Sequence, residues 1–392
     1  MNKYQLTKEV IELKDETIKI RRDIHKNPEL GFQEFKTSEL IYNTLKELGY
    51  EVSIVAKTGV VGLIRGHDQT KTLAVRADID CLPLQELNQV DYISQNEGKM
   101  HACGHDGHTA IALATAKLIK SRQSELKGNV KFIFQPAEES PGGAEPMIKE
   151  GVLENPKVDA IIGLHLWNNI PLGTLGIKSG ILMASADEFI INIKGKGGHG
   201  ALPHQTVDSI VVMAHIITAL QTIVSRNVNP LEPAVVTVGK VESGSNFNII
   251  AESAKMIGTV RTFDNDLRDQ IEKKIEQITK NITQAFGADY SYQYIKFYPP
   301  TINNVDMASL IKEAALDVVS NDMILENEIT MGAEDMSYFL QKVPGCYFFV
   351  GSANKEKGLD KPHHNPYFDF DEEALSIGTQ VMTNAIFKYF EK

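Results

Sequence analysis

The sequence predicts an α/β protein in which a mixed, largely parallel sheet forms a catalytic domain and a ferredoxin-like α+β domain is inserted into it. Three observations carry this reading. Strand patterns alternate with helical ones up to about Ser185, as in sheets built from β-α-β units. A run in the order βαββαβ follows, the split pattern of ferredoxin-like domains. The chain then returns to α/β alternation, so the middle block reads as an insert. At 392 residues, 42% of them hydrophobic, there is ample material for a core and too much length for one ordinary domain. The expected organisation is residues 1–184 as the first catalytic segment, 185–297 as an inserted lid or dimerisation domain, and 298–392 as the second catalytic segment.

The elements follow in order. Val10, Ile11, Leu13, Ile18 and Ile24 recur at roughly helical spacing. Asn27-Pro28 interrupts, and a second helix runs to about Leu48, where Gly49 stops it. Strand-like runs occupy Glu51–Val55, Val60–Arg65 and Thr72–Arg76, and an Ala- and Leu-rich helix spans about Thr109 to Ser121. Asn129–Phe134 and Ala160–Leu166 are buried-strand patterns. In the insert, strands are expected at Glu188–Ile193, Ala234–Val241, Lys255–Arg261 and near Tyr290–Phe297. Helices are expected from about Val207 to Ser225 and from Asn265 to about Phe286. After Pro299-Pro300 come a helix around Met307–Val319, an apolar strand Cys346–Val350 and a final helix from about Asp371.

Composition removes several classes of function. The net charge of -11 disfavours nucleic acid and anionic lipid as partners. A carboxylate-bearing substrate therefore needs a local basic spot. The N-terminal stretch is polar and charged, without the apolar centre of a signal peptide. No window approaches the ~20 apolar residues of a membrane span. Cys81, Cys103 and Cys346 are too few and odd in number for a disulfide framework. Together these features lead us to expect a cytoplasmic protein.

The densest chemical signal is Met100-His-Ala-Cys-Gly-His-Asp-Gly-His108, where three histidines, a cysteine and an aspartate precede a helix. Cys103 and His105 flank Gly104, and that spacing lets both side chains face one ion. The alternative is a glycine-rich helix start with polar caps; four potential ligands packed so closely argue against it. No second Cys or His pair follows at zinc-finger spacing. Phe134-Gln-Pro-Ala-Glu-Glu139 ends an apolar strand, and groups at such strand ends gather around the sites of open α/β sheets. One glutamate can bind metal while the other handles protons. Alone, a Glu-Glu pair is more often a solvated loop charge. His165, in Gly163-Leu-His-Leu-Trp167, would alone more often be a hydrogen-bonded core histidine. Pro362-His-His-Asn-Pro-Tyr-Phe-Asp-Phe-Asp371 is a loop before the last helix. Gly195-Lys-Gly-Gly-His-Gly200 fits G-x-G-x-x-G, but Leu202-Pro203 follows and the supporting acidic residue is missing, so we reject a dinucleotide site.

These motifs resemble the M20 metallopeptidase clan, specifically its aminoacylase-like subfamily of hippurate hydrolases, auxin-conjugate hydrolases and N-acetyl-diaminopimelate deacetylases. The resemblance runs almost end to end. It includes Arg22–Gly31, Arg76–Pro83, Met100–Thr109, Gln135–Glu139, Gly163–Trp167, Gly197–Gly200, Gly258–Arg261, Gly332–Asp335 and His364–Pro366. It implies that Cys103, His105, Glu139, His165 and His364 bind metal, that Glu138 is the general base, and that His199 polarises the scissile carbonyl. It further implies that Arg261 and Asn248 hold the carboxylate side of the substrate. His363 stands beside His364; the family's His-x-Pro pattern favours His364, with His363 as the alternative ligand. Asp78 stands where other clan members carry the histidine of a metal-binding His-x-Asp, so Asp78 and Asp80 are taken as supports of the ligands.

The implied chemistry closes if two divalent ions (zinc, manganese, nickel or cobalt) share Cys103 and a solvent molecule, because five ligands exceed one tetrahedral catalytic site. The expected activity is hydrolysis of the amide bond of N-acyl amino acids, N-acetyl or N-benzoyl. A dipeptidase or carboxypeptidase of the same clan is the alternative, and a catalytically inactive metal-stabilised binding protein is a distant one. A homodimer or higher homo-oligomer is expected.

Overall fold

The computed structural model describes residues 4–391. The chain forms two compact units. The larger comprises the residues through Leu182, Ile302–Glu328 and those from Asp335 onward; the smaller comprises Met183–Thr301 and Ile329–Glu334. The short Ile329–Glu334 stretch thus belongs with the smaller unit, outside the expected 185–297 span.

The larger unit is built on an eight-stranded sheet. Its centre is four parallel strands, in the order Asn129–Gln135, Thr72–Asp78, Ala160–Pro171 and Gly345–Ala353. Gly59–Ile64 and then Glu51–Val55 extend one edge antiparallel. Leu175–Gly176 and Ile324–Leu325 finish the other. Every residue of Thr72–Asp78 and Asn129–Gln135 is buried, which is why these strands read as continuous apolar runs rather than alternating ones. Helices Lys8–Lys26, His105–Ser121, Val305–Leu316 and Glu373–Glu391 supply much of the covering core, through residues such as Ile111, Leu113, Ile311, Ile377 and Val381.

The smaller unit is a four-stranded antiparallel sheet with two helices. Its strands, in chain order Asp187–Lys194, Ala234–Ser243, Ser253–Thr262 and Asp289–Lys296, lie in the spatial order second, third, first, fourth. That is the ferredoxin-like arrangement. Here the burial alternates along a strand: Phe189, Ile191 and Ile193 face the helices while Asn192 and Lys194 are exposed. Helix Asn265–Phe286 begins where expected, with the Asp264 carboxylate accepting from Leu267 N at 2.7 Å.

Helix Ser209–Thr222 and the π-helical turn Ile223–Asn227 correct one expectation. Together they form a stretch long and apolar enough, by length and composition, to cross a membrane. Val212, Ile216, Leu220 and Ile223 are instead buried in the smaller unit's core. Helix His105–Ser121 also starts four residues before the Thr109 expected from its apolar pattern. Its first turn is spent on polar site residues, which carry no helical periodicity.

Candidate metal centre

The site of the larger unit forms at the carboxyl ends of the parallel strands. Strand Thr72–Asp78 leads to Asp80, strand Asn129–Gln135 leads to Glu138 and Glu139, and His165 lies in strand Ala160–Pro171 opposite Phe349. Gly104, at φ +90°, turns the chain into helix His105–Ser121 through a left-handed conformation that other residues adopt at a cost. Cys103 and His105 therefore sit on either side of that turn.

These residues converge. Ligand-capable atoms of Cys103, His105 and His165 lie within 4.8 Å of one another, as do those of Cys103, Glu139 and His364, and those of His105, Glu138 and Glu139. Cys103 Sγ is 3.5 Å from His165 Nε2, and His364 Nε2 is 3.2 Å from Glu139 Oε1. His105 Nε2 is 4.0 Å from both Glu138 Oε2 and Glu139 Oε1. Cys103, His105, Glu138 and His165 are buried, whereas His364 opens to solvent.

Hydrogen bonding fixes which nitrogen each histidine presents. His105 Nδ1 donates to Asp80, to its main-chain oxygen at 3.0 Å and its carboxylate at 3.2 Å. His165 Nδ1 donates to Leu166 O at 2.6 Å. Each Nε2 lone pair is thereby aimed into the site, the arrangement typical of metal-binding histidines. His105 Nε2 has no hydrogen-bond partner among the described residues. His108 is different. Its Nδ1 donates to Asp78 at 2.6 Å and its Nε2 accepts from Leu166 N at 2.8 Å, so neither nitrogen remains for a metal.

The electrostatics ask for a cation. Burial opposes a charge on His105, yet Asp78, Asp80 and Glu139 push it up to about 10. Burial together with Glu139 and Glu138 pushes the Cys103 thiol well above its usual range. Burial and the neighbouring rings of His108 and His363 hold His165 neutral. The Cys103 thiol and the His105 ring, each of which would release a proton to a cation, the neutral His165 ring and two carboxylates form a donor set that fits a divalent transition ion.

The structure separates the two adjacent histidines. His363 stacks on Trp167 at 4.7 Å between ring centroids and accepts from Asn168 N at 3.2 Å. His364, at φ 62°, turns instead to Glu139. Asp78 and Asp80 serve as supports: Asp80 holds His105 and accepts from Glu139 N at 3.0 Å, while Asp78 binds His108 and Arg76.

The remaining expected residues lie in the smaller unit. His199 and Asn248 come side by side through a two-strand ladder that pairs Ile249 with His199, and Gly200 N donates to Asn248 O at 2.8 Å. Both are exposed. Arg261, half-buried at the end of strand Ser253–Thr262, donates to Val260 O at 3.0 Å and to the Thr259 hydroxyl.

Several residues of the larger unit escaped sequence reading. Arg21 is fully buried and its Nε donates to Asp106 at 2.7 Å; His25 Nδ1 meets the same oxygen at 2.7 Å. Asp335 accepts from Arg76 at 2.9 Å and from Gly143 N and Ala144 N at 3.0 Å. His25 and Asp335 stand inside the matched stretches Arg22–Gly31 and Gly332–Asp335 but carried no assigned role, and Arg21 stands just before the first of these.

A largely parallel α/β unit carrying a thiol, imidazole and carboxylate cluster, with a ferredoxin-like insert, defines the class of metal-dependent hydrolases. The chain belongs to peptidase family M20/M25/M40, whose family model matches residues 74–388. It is 46% identical over 305 residues to an N-acyl-L-amino acid amidohydrolase of Geobacillus stearothermophilus, covering 77% of this chain and 82% of that one. It is 39% identical over 393 residues to thermostable carboxypeptidase 2 of Saccharolobus solfataricus, covering 99% of each. Among solved structures it is similar to the Bacillus subtilis YxeP protein, described as a dinuclear metal binding peptidase of the M20 family. The TM-score is 0.84 and the identity 35%, over 97% of this chain and 99% of that one.

Proposed function

We propose that the protein hydrolyses the amide bond of N-acyl amino acids, of N-acetyl or N-benzoyl type, with two divalent ions per subunit. The convergence of Cys103, His105, Glu138, Glu139, His165 and His364 carries this reading. Cys103, His105, Glu139, His165 and His364 would hold the ions, and the overlapping groups offer more donors than one tetrahedral catalytic ion takes. Bound divalent ions acidify water and polarise a carbonyl. The chain's own residues do the rest. Glu138 takes the proton from water and returns it to the departing amine. His199 donates a hydrogen bond to the developing oxyanion. Arg261 grips the substrate carboxylate in a forked, charge-assisted pair, with Asn248 as a further donor.

The test is metal analysis of the protein as purified, followed by comparison of kcat/KM on N-acetyl and N-benzoyl amino acids against dipeptides. About two ions of zinc, manganese, nickel or cobalt per chain and preference for the acylated substrates are expected. The high identity to a carboxypeptidase over its whole length supports peptide cleavage as the second reading. A much higher kcat/KM on dipeptides would select it.

We also propose a homodimer. The exposed side chains of Ile210 and Val211, on a helix whose other side fills the smaller unit's core, support it. Light scattering at micromolar protein should give twice the chain mass; a monomer overturns this point.

A further inference from the structure

The segment Glu29–Glu34 overlaps a conspicuous sequence motif but has no part in the chemistry above. Its backbone touches both loops that carry site residues. Cys81 N donates to Glu29 O at 2.9 Å, which ties the segment to the loop holding Asp80. Gly31 presses on the loop after strand Asn129–Gln135. A Cβ there would stand 2.4 Å from Ser140 O and 2.8 Å from Ala137 Cβ, so only glycine fits. Phe32 follows at φ 59° and turns the chain. Glu34 is then buried beneath the same loop. It accepts from Ala137 N at 2.9 Å and from the Thr58 hydroxyl at 2.6 Å.

Ala137 itself lies at φ 54°, a conformation that a non-glycine residue keeps only where its surroundings over-determine it. It immediately precedes Glu138 and Glu139. Asp80 accepts from Glu139 N and Asp335 from Gly143 N and Ala144 N, so three buried carboxylates hold one loop by its amides. Among them Glu34 alone meets the strained residue.

We propose that Glu34 is a positioning residue that keeps Ala137 left-handed and so aims Glu138 and Glu139, with Gly31 left bare so that the brace can close. This rests on the reading of Glu138 as base and Glu139 as ligand.

The test is amide hydrogen exchange on the full chain as purified, with peptides spanning 136–144 and 129–135. Glu34→Ala should exchange about tenfold faster in 136–144 and no faster in 129–135. Glu34→Gln keeps an acceptor for Ala137 N and should restore protection. In turnover, Glu34→Ala should lower kcat about 10²-fold, as expected for a displaced catalytic group, with KM within about threefold, and Glu34→Gln should recover most of it. Unchanged protection in Glu34→Ala overturns the proposal, as does an equal loss in Glu34→Gln. If Glu34→Ala does not fold, Gly31→Ala decides by the same measurement: a protected 136–144 segment overturns it. Lost protection combined with a fully active Glu138→Gln leaves the brace standing and removes Glu138 as base.

Discussion

The two units hold their proposed working residues in opposite ways. In the larger unit Cys103, His105, Glu138 and His165 are buried, and His105 and His165 have one ring nitrogen fixed by a main-chain oxygen. In the smaller unit His199 and Asn248 are exposed, and the hydrogen bonds of Arg261 go to Val260 and Thr259 of its own strand. The contrast matches the roles proposed for each unit. A divalent ion is small and demands fixed ligand geometry, which packing and hydrogen-bonded supports provide. A substrate arrives from water, so donors for its oxyanion and carboxylate must begin in water. The difference teaches that the larger unit's cluster is preorganised by folding, while the recognition groups proposed for the smaller unit are accessible.

Substitutions can break that contrast. The largest expected effect is Glu138→Gln: kcat/KM should fall on the order of 10³-fold while elemental analysis shows the metal retained. Next is His199→Ala, expected to cost on the order of 10²-fold in kcat, the usual effect of losing one oxyanion donor. A greater loss from His199→Ala than from Glu138→Gln would invert the comparison.

The third effect is on stability. Burial pushes the Glu34 carboxyl up to about 7, against the pull of its hydrogen bond from Thr58. Its native pKa then exceeds its unfolded value, so between about pH 4.5 and 7 the native state binds the extra proton. The contribution is complete below that window and lost as pH rises through it, by roughly 3 kcal/mol. Urea unfolding of the wild type minus that of Glu34→Gln should show this decline; parallel curves would contradict it. The smallest effect is Arg261→Ala, which should raise KM about tenfold with little change in kcat. A kcat loss equal to the loss in kcat/KM would instead place Arg261 in the transition state.

Much of the candidate site could be read before folding because it is local. Cys103 and His105 lie two residues apart, and Glu138 and Glu139 are adjacent at the end of an apolar strand. Asp78 and Asp80 were legible as supports through the family resemblance, but the more distant supports were not. Arg76 meets Asp335 across 259 positions, and Glu34 meets Ala137 across 103. No periodicity or spacing encodes such pairs. The short elements Leu175–Gly176, Ile324–Leu325 and Ala144–Lys149 were likewise missed, because each is too brief to show a period.

By itself, then, the order of residues determined which of the longer segments are helices and strands, that a ferredoxin-like block interrupts an α/β sheet, and which side chains could serve as ligands. Hydrophobic period and side-chain chemistry are properties of neighbouring residues, so they survive in one dimension. Only the tertiary structure decided that His364 rather than His363 turns to Glu139, that His108 is spent on Asp78 and Leu166, and that Glu34 lies beneath Ala137. Those outcomes depend on strand register and on where distant loops meet, and a hydrogen bond is decided by angles and tenths of an ångström that no local pattern records.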